Sequence, residues 1–215
     1  MGKVIIINGS PRAPRSNSKE YGEIFSSYYK GQADTFNITK NNHKEICSKI
    51  GEYKNMLLVF PLYADGLPVT MLNFLKVLEE NPPKNKPKVS VIVNCGFIEP
   101  EQNNVCIDMV KLFCKQNTYE FNSVLSIGGG EAILGTPFKI FVKWKIKKLA
   151  KSIYNNTPEN LRVTMPISKK IYLKASTNYW INYGKRNGIT KSQMETMKIE
   201  SVSYTHLTLP TNREV

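Results

Sequence analysis

Ser10, Arg12, Arg15, Ser16, Asn17 and Ser18 bring hydroxyl, amide and guanidinium donors together within one short loop. An apolar run, Val4 to Ile7, precedes them and a segment of helical character follows. Donors that converge where a helix begins meet the positive end of its dipole, so this pattern suits a phosphate monoester. The plain alternative is a strand-to-helix turn with a Ser or Asn cap. Gly9 has no GxGxxG partners and no Gly-Lys-Ser/Thr follows, which excludes the dinucleotide fingerprint and the Walker loop. A second loop, Pro61-Leu62-Tyr63-Ala64-Asp65-Gly66-Leu67-Pro68, offers an aromatic face beside turn backbone. Its alternative is a core-edge tyrosine and a turn that opens a helix. A third loop is Asn94-Cys95-Gly96-Phe97, and a fourth is Gly128-Gly129-Gly130-Glu131. The triple glycine suits either close approach of a ligand or partner backbone, or a sharp strand exit.

These loops end apolar runs that are too short for helices and rich in β-branched residues. Strands are expected at Val4 to Ile7, Ala33 to Ile38, Asn55 to Phe60, Lys88 to Val93 and Tyr119 to Ile127. Helical spacing appears in Lys19 to Lys30, Lys44 to Ile50, the segment after Pro68 to Glu80, Pro100 to Gln116, and Phe138 to Tyr154. The last has an inner face of Phe138, Val142, Ile146, Leu149 and Ile153. This alternation predicts right-handed βαβ units and an α/β fold with a parallel sheet covered on both faces. Ligands of such sheets bind beyond the C-terminal strand ends, where all four loops fall.

The string N-G-S-P-R followed by S-N-S resembles the flavodoxin-like NAD(P)H-dependent FMN reductase and quinone reductase families. The P-x-Y-x-x-G-x-P loop is similar to the one after their third strand. The resemblance covers about Lys3 to Tyr154, with a looser echo in Trp180-x-x-x-Gly184-Lys185-Arg186-Asn187-Gly188-Ile189-Thr190. It implies a doubly wound, five-stranded parallel sheet of order 2-1-3-4-5 with a helical C-terminal extension. It places FMN phosphate at Ser10, Arg12, Ser16, Asn17 and Ser18, and ring contacts at Pro61, Leu62, Tyr63 and Gly66. By position, Asn94, Cys95 and Gly96 join the flavin side. Ala13-Pro14-Arg15 is bulkier and stiffer than the small residues common there. NAD(P)H as co-substrate, a quinone, nitro or azo compound or flavin as acceptor, and a homodimer complete the implied picture. No catalytic side chain is required, because flavin N5 carries the chemistry. The alternatives are a flavodoxin-type electron carrier and a non-enzymatic flavodoxin-like binding module.

The chain has 215 residues and a formal net charge of +13. Its lysines are scattered and no nucleic-acid module is evident, so no specific nucleic-acid partner is expected. Pure flavodoxin carriers of the resembling group are acidic, so this balance favours anionic substrates. The lysines of the 138–154 helix read as a solvated face, with membrane-surface contact as the alternative. Cys47, Cys95, Cys106 and Cys114 form no CxxC pair, which excludes a local zinc or iron–sulfur signature and suits a cytoplasmic protein. Cys95 reads as a buried thiol or a redox-active one, and His43 as a solvated residue in a polar loop. Residues 1–156 are expected to form the FMN-binding domain and residues 157–201 its helical extension. Residues 202–215, with SYTHLTLPT at their centre, resemble the translation of a transposon-based sequencing adapter and stand apart as non-native. The natural C-terminus is then expected to lie beyond the cut.

Overall fold

A computed structural model describes residues 2–12 and 15–195; residues 202–215, set apart above, lie outside them. The chain divides into two compact units at Pro166/Ile167.

In the first unit the strands are β1 (Val4–Asn8), β2 (Ala33–Asn37), β3 (Asn55–Pro61), β4 (Lys88–Asn94), β5 (Phe121–Ile127) and β6 (Asn160–Val163). They form one sheet of order β2-β1-β3-β4-β5-β6, parallel throughout. β1 is buried along its whole length, as expected of a parallel strand covered on both faces. Helices α2 (His43–Ile50), α3 (Val69–Glu80) and α4 (Asn104–Gln116) pack on the face that presents Ile5, Ile7, Met56 and Leu58. Helices α1 (Asn17–Tyr28) and α5 (Lys139–Asn155) pack together over the opposite face, where Gly22 of α1 lets the helix lie against Ile6.

The sheet has six strands, not five. β6 is a four-residue edge strand in which Leu161 and Val163 are buried while Asn160 and Arg162 are exposed. Two apolar positions in a polar segment are too few to show strand periodicity, so sequence folded this stretch into a helical tail. The sheet therefore runs past residue 156. Two local differences accompany it. β5 starts at Phe121, because Thr118 turns left-handed (φ 54°) and the Tyr119 N–H bonds the Cys114 carbonyl of α4. His43 does not lie in a loop: it opens α2, half-buried, with its ring edge-to-face on Phe74 at 6.2 Å.

The second unit contains α6 (Lys169–Arg186) and one turn of helix, α7 (Lys191–Met194). Ser168 caps α6, and Thr190 with Gln193 forms a capping box at α7. Gly184 stays helical, and Gly188 (φ 75°) makes the turn that follows α6. Among the described residues no helix is long and apolar enough to cross a membrane.

Candidate functional site

The chain runs from β1 outward to β2 and then returns to β3 on the other side of β1. The order of the sheet thus reverses between β1 and β3, and the loops after these strands diverge there to leave a crevice.

The first loop is folded by its own side chains. Asn8 Oδ1 accepts the Ser10 N–H at 3.1 Å, and Ser10 Oγ accepts the Arg12 N–H at 3.3 Å. The Gly9 carbonyl accepts Thr70 Oγ1 of α3 at 2.6 Å, and a Cβ on Gly9 would have to push the end of the Met71 side chain aside. Ser16 is the N-cap of α1 and accepts the Lys19 N–H at 3.2 Å. Asn17 donates to the Gly130 carbonyl at 3.0 Å, and Tyr21 donates to the same oxygen at 2.7 Å. Ser18 is buried and accepts from Asn94 Nδ2 at 3.2 Å. Asn17 and Ser18 thus spend side-chain atoms holding loops together. What they keep free is backbone: among the described residues, the N–H groups of Asn17 and Ser18 meet no acceptor. The hydroxyl hydrogens of Ser10, Ser16 and Ser18 also meet none there, and the exposed Arg15 has no ion-pair partner there. Arg12 reaches Glu131 only at 3.8 Å, with both side chains largely in water.

In the second loop Tyr63 and Gly66 exchange backbone hydrogen bonds of 3.1 and 2.9 Å around Ala64 and Asp65. Both central residues are left-handed, at φ 43° and 55°, the conformation of a tight primed turn usually built with glycine. Holding two non-glycine residues there costs about 1 kcal/mol or more each. The turn lifts Tyr63, 44% exposed, out of the core. Leu62 is anchored behind it by donating its N–H to the Asn94 carbonyl at 2.7 Å.

Asn94 is the junction of the site. Besides Ser18, its Nδ2 reaches the Phe60 carbonyl at 3.2 Å, so it ties α1, β3 and β4 at one buried point. The next residue, Cys95, turns its thiol inward toward the carbonyls of Phe97, Glu99 and Ile127, and burial pushes its pKa up. Its N–H bonds the Ile127 carbonyl and its own carbonyl accepts the Gly130 N–H. Gly96 and Phe97 are exposed, and a Cβ on Gly96 would meet nothing within 4 Å, so the chain here borders open space.

The triple glycine serves the chain's own packing. A Cβ on Gly128 would sit 2.3 Å from the Ile98 carbonyl oxygen, and one on Gly130 2.7 Å from Asn94 Cβ. The fourth loop lies flat against the third, and its Gly130 carbonyl holds α1 in place. Sequence reasoning did not find Asn8, Tyr21 and Thr70 as supports of the site: Tyr21 and Thr70 bond residues far away along the chain, and the Asn8 bond to the Ser10 N–H leaves no mark in the residue pattern. Period-3.6 patterning marked Tyr21 only as a helix-face residue.

The arrangement gathers N–H, hydroxyl and guanidinium groups at the start of α1, and leaves Tyr63, Gly96 and Phe97 exposed on the two loops joined by the Leu62–Asn94 bond. Among the described residues no cluster of His, Cys, Asp and Glu could hold a metal ion. A depression of about 560 Å³, bordered by Lys44, Ser48, Gly51, Pro83 and Lys84, lies at the opposite edge of the sheet, where β3 and β4 begin.

No family model matches the chain, and no curated protein does. Solved structures do. An FMN-dependent NADH-azoreductase from Bacillus anthracis, in complex with FMN, superposes with a TM-score of 0.53 at 15% identity, covering 72% of this chain and 100% of that one. An NAD(P)H:quinone oxidoreductase from Methanothermobacter marburgensis gives 0.51 at 13%, over 72% and 96%. A flavodoxin from Streptococcus pneumoniae gives 0.53 at 14%, over 71% and 98%. The fold is flavodoxin-like. At these identities the likeness concerns the fold, and reductases and a carrier share it alike. In this flavodoxin-like chain the first and second loops flank the reversal of the sheet.

Proposed function

We propose that the protein binds FMN at the β1/β3 crevice and works as an NAD(P)H-dependent oxidoreductase. Its acceptor would be a quinone, a nitro or azo compound, or a flavin. The observation that carries the reading is the pairing of spare donors at the start of α1 with the strained turn that presents Tyr63. The residues fit the cofactor. The N–H groups of Asn17 and Ser18, the hydroxyls of Ser10 and Ser16, and the guanidiniums of Arg12 and Arg15 would hold the phosphate. Bonds from the N–H groups and hydroxyls to a charged phosphate contribute about 1.5–3 kcal/mol each, and the exposed arginines up to about 1 kcal/mol each. Pro61, Leu62, Tyr63 and Gly66 would line one edge of the ring, with Gly96 on the other side. Asn94 and Cys95 act behind it, by fixing the loops.

Bound FMN would supply the redox chemistry, accepting hydride and passing electrons on. The protein's part is alignment. The 62–66 turn excludes water from one side of the ring, and backbone N–H groups stabilise negative charge near it. On this reading no side chain needs to move a proton. A homodimer in the cytoplasm goes with this reading.

An electron carrier without nicotinamide chemistry is the second reading, supported by the pneumococcal flavodoxin's fold. One experiment separates the two. The chain is mixed with FMN and desalted, and its visible spectrum is recorded before and after anaerobic NADPH or NADH. Retained colour that bleaches supports the oxidoreductase; retained colour that does not bleach supports the carrier. Loss of all colour from a folded sample overturns both.

A further inference from the structure

Helix α5 carries Lys139, Lys143, Lys145, Lys147, Lys148 and Lys151 and no acidic residue. Two of these are neutralised by other elements: Lys139 by Glu20, and Lys148 by Glu159 at 3.0 Å. The other four have no ion-pair partner among the described residues. The inner face of the helix, Val142, Ile146, Leu149 and Ile153, is fully buried on the sheet. An ordinary surface helix would be polar over its remaining arc. Here Ile140, Phe141 and Trp144 stand outward, 64%, 44% and 60% exposed.

Spacings of three and four make these three residues neighbours on one face. The same line continues from Ile140 and Trp144 to Lys147 and Lys151, so the outward stripe is apolar in its first turns and cationic in its later ones. Lys145 lies with its Nζ 4.9 Å from the Trp144 ring centre. Lys139 occupies the first turn, which has no acidic residue, where the helix dipole disfavours a cation. Glu20 of α1 answers that local conflict at Lys139, and the later lysines of the helix, Lys148 apart, have no such answer among the described residues.

The geometry points to α5 as a docking face for an anionic phospholipid surface: Ile140, Phe141 and Trp144 enter the headgroup–acyl boundary, and Lys147 and Lys151 rest against the phosphates. An apolar wedge with aromatic residues beside a lysine cluster is the composition of interfacial helices. A second copy of the chain is a poorer occupant. Each copy carries a net charge of +13, and self-pairing sets lysine against lysine. The helix is about 25 Å long and its outward face about 10 Å wide. That footprint is roughly 250 Å², well under the roughly 800 Å² per partner of a stable interface. Duplex nucleic acid would satisfy the lysines but leave the three apolar side chains in water. The inference does not depend on what the start of α1 holds.

The test is co-sedimentation of the full chain with vesicles of phosphatidylcholine alone or with about one-third phosphatidylglycerol. Binding to the anionic vesicles is expected to exceed binding to the neutral ones by about tenfold or more. Phe141→Ser with Trp144→Ser, and separately Lys147→Glu with Lys151→Glu, are each expected to remove about nine-tenths of that binding. Unchanged circular dichroism and thermal transitions establish that both variants are folded. In Trp180→Phe protein, the emission of Trp144 is expected to shift to the blue on adding anionic vesicles. Any of four results overturns the inference: no preference for anionic vesicles, variants that bind as the parent does, an unshifted Trp144, or a parent dimer that the Phe141/Trp144 variant converts to monomer. Retention of duplex DNA in place of vesicles assigns the lysines to nucleic acid and overturns it equally.

Discussion

The side chains of the first loop divide into those that hold the loop and those left to meet a ligand. Asn17 and Ser18 bond Gly130 and Asn94, and Ser16 caps α1. The cations stay uncommitted. Replacing Arg12 and Arg15 together by Ala is expected to weaken FMN binding by about tenfold, since exposed cation–phosphate contacts contribute up to about 1 kcal/mol each. Riboflavin, which has no phosphate, should bind the variant as it binds the parent. The melting temperature should not move, because the Arg12–Glu131 pair is long and solvated. Titration with both flavins checks this; an equal loss for both would remove the arginines from the phosphate subsite. The donors of this site were legible because they form one contiguous string at the end of an apolar run. The bonds that position them were not: Asn94 to Ser18, Tyr21 to Gly130 and Thr70 to Gly9 join residues far apart along the chain. Composition carries no trace of such pairs. The triple glycine suited either a ligand's close approach or a sharp strand exit, and in the structure Gly128 and Gly130 accommodate the chain's own neighbouring loop.

The element most informative about the limits of sequence reading is β6. Of the first five strands, β1, β3, β4 and β5 announce themselves through apolar runs, because a strand buried on both faces must be largely apolar, while β2 at the other edge shows only a short alternation. β6 lies at the sheet edge and shows only Leu161 and Val163 to the interior, with Met165 buried just after it. Nevertheless it covers β5: the Val124 and Gly128 N–H groups bond the carbonyls of Glu159 and Val163. Leu161→Ala is expected to lower stability by about 2–4 kcal/mol in urea unfolding, the usual cost of truncating a buried leucine. Ile171→Ala on the exposed side of α6 should change it by less than about 0.5 kcal/mol. Equal, small effects at both positions would mean that the sheet ends at β5. The same reasoning explains why α5 could be drawn correctly from its inner face and still mislead. Periodicity identified Val142, Ile146, Leu149 and Ile153 and also named Phe138, which instead lies half-buried at the N-cap and stacks on Phe141; it could not say that Ile140, Phe141 and Trp144 stay largely exposed.

At the scale of the whole molecule, the hydrophobic core under α2, α3 and α4 contains Cys47, Cys106, Cys114 and Tyr119, and these cysteines are free thiols. Burial pushes the Cys47 thiol up to about 11, and those of Cys106 and Cys114 up to about 12; Tyr119 is raised as well. A group whose pKa is higher folded than unfolded contributes its full stabilisation below the unfolded value. It loses that contribution as pH rises toward the folded value. For these thiols the window opens near pH 9 and closes near 11 to 12. By pH 10 each of the three thiols takes away about 1.4 kcal/mol, together about 4 kcal/mol. That is a large part of the 5–15 kcal/mol typical of a domain, so alkaline unfolding is expected between roughly pH 10 and 11. An opposing effect exists, since lysines discharging near pH 10.4 relieve the self-repulsion of a chain of charge +13. Those charges lie mostly in water and are screened at physiological salt, and their relief begins only after the thiols have started to act. The thiols therefore set the sign. Urea midpoints should be flat from about pH 7 to 8.5 and then fall steeply. With Cys47, Cys106 and Cys114 all changed to Ala, the protein should start less stable at neutral pH but show a much shallower alkaline fall. An unchanged alkaline slope in that variant would shift the effect to tyrosines such as Tyr21 and Tyr119, whose hydroxyls burial also holds protonated.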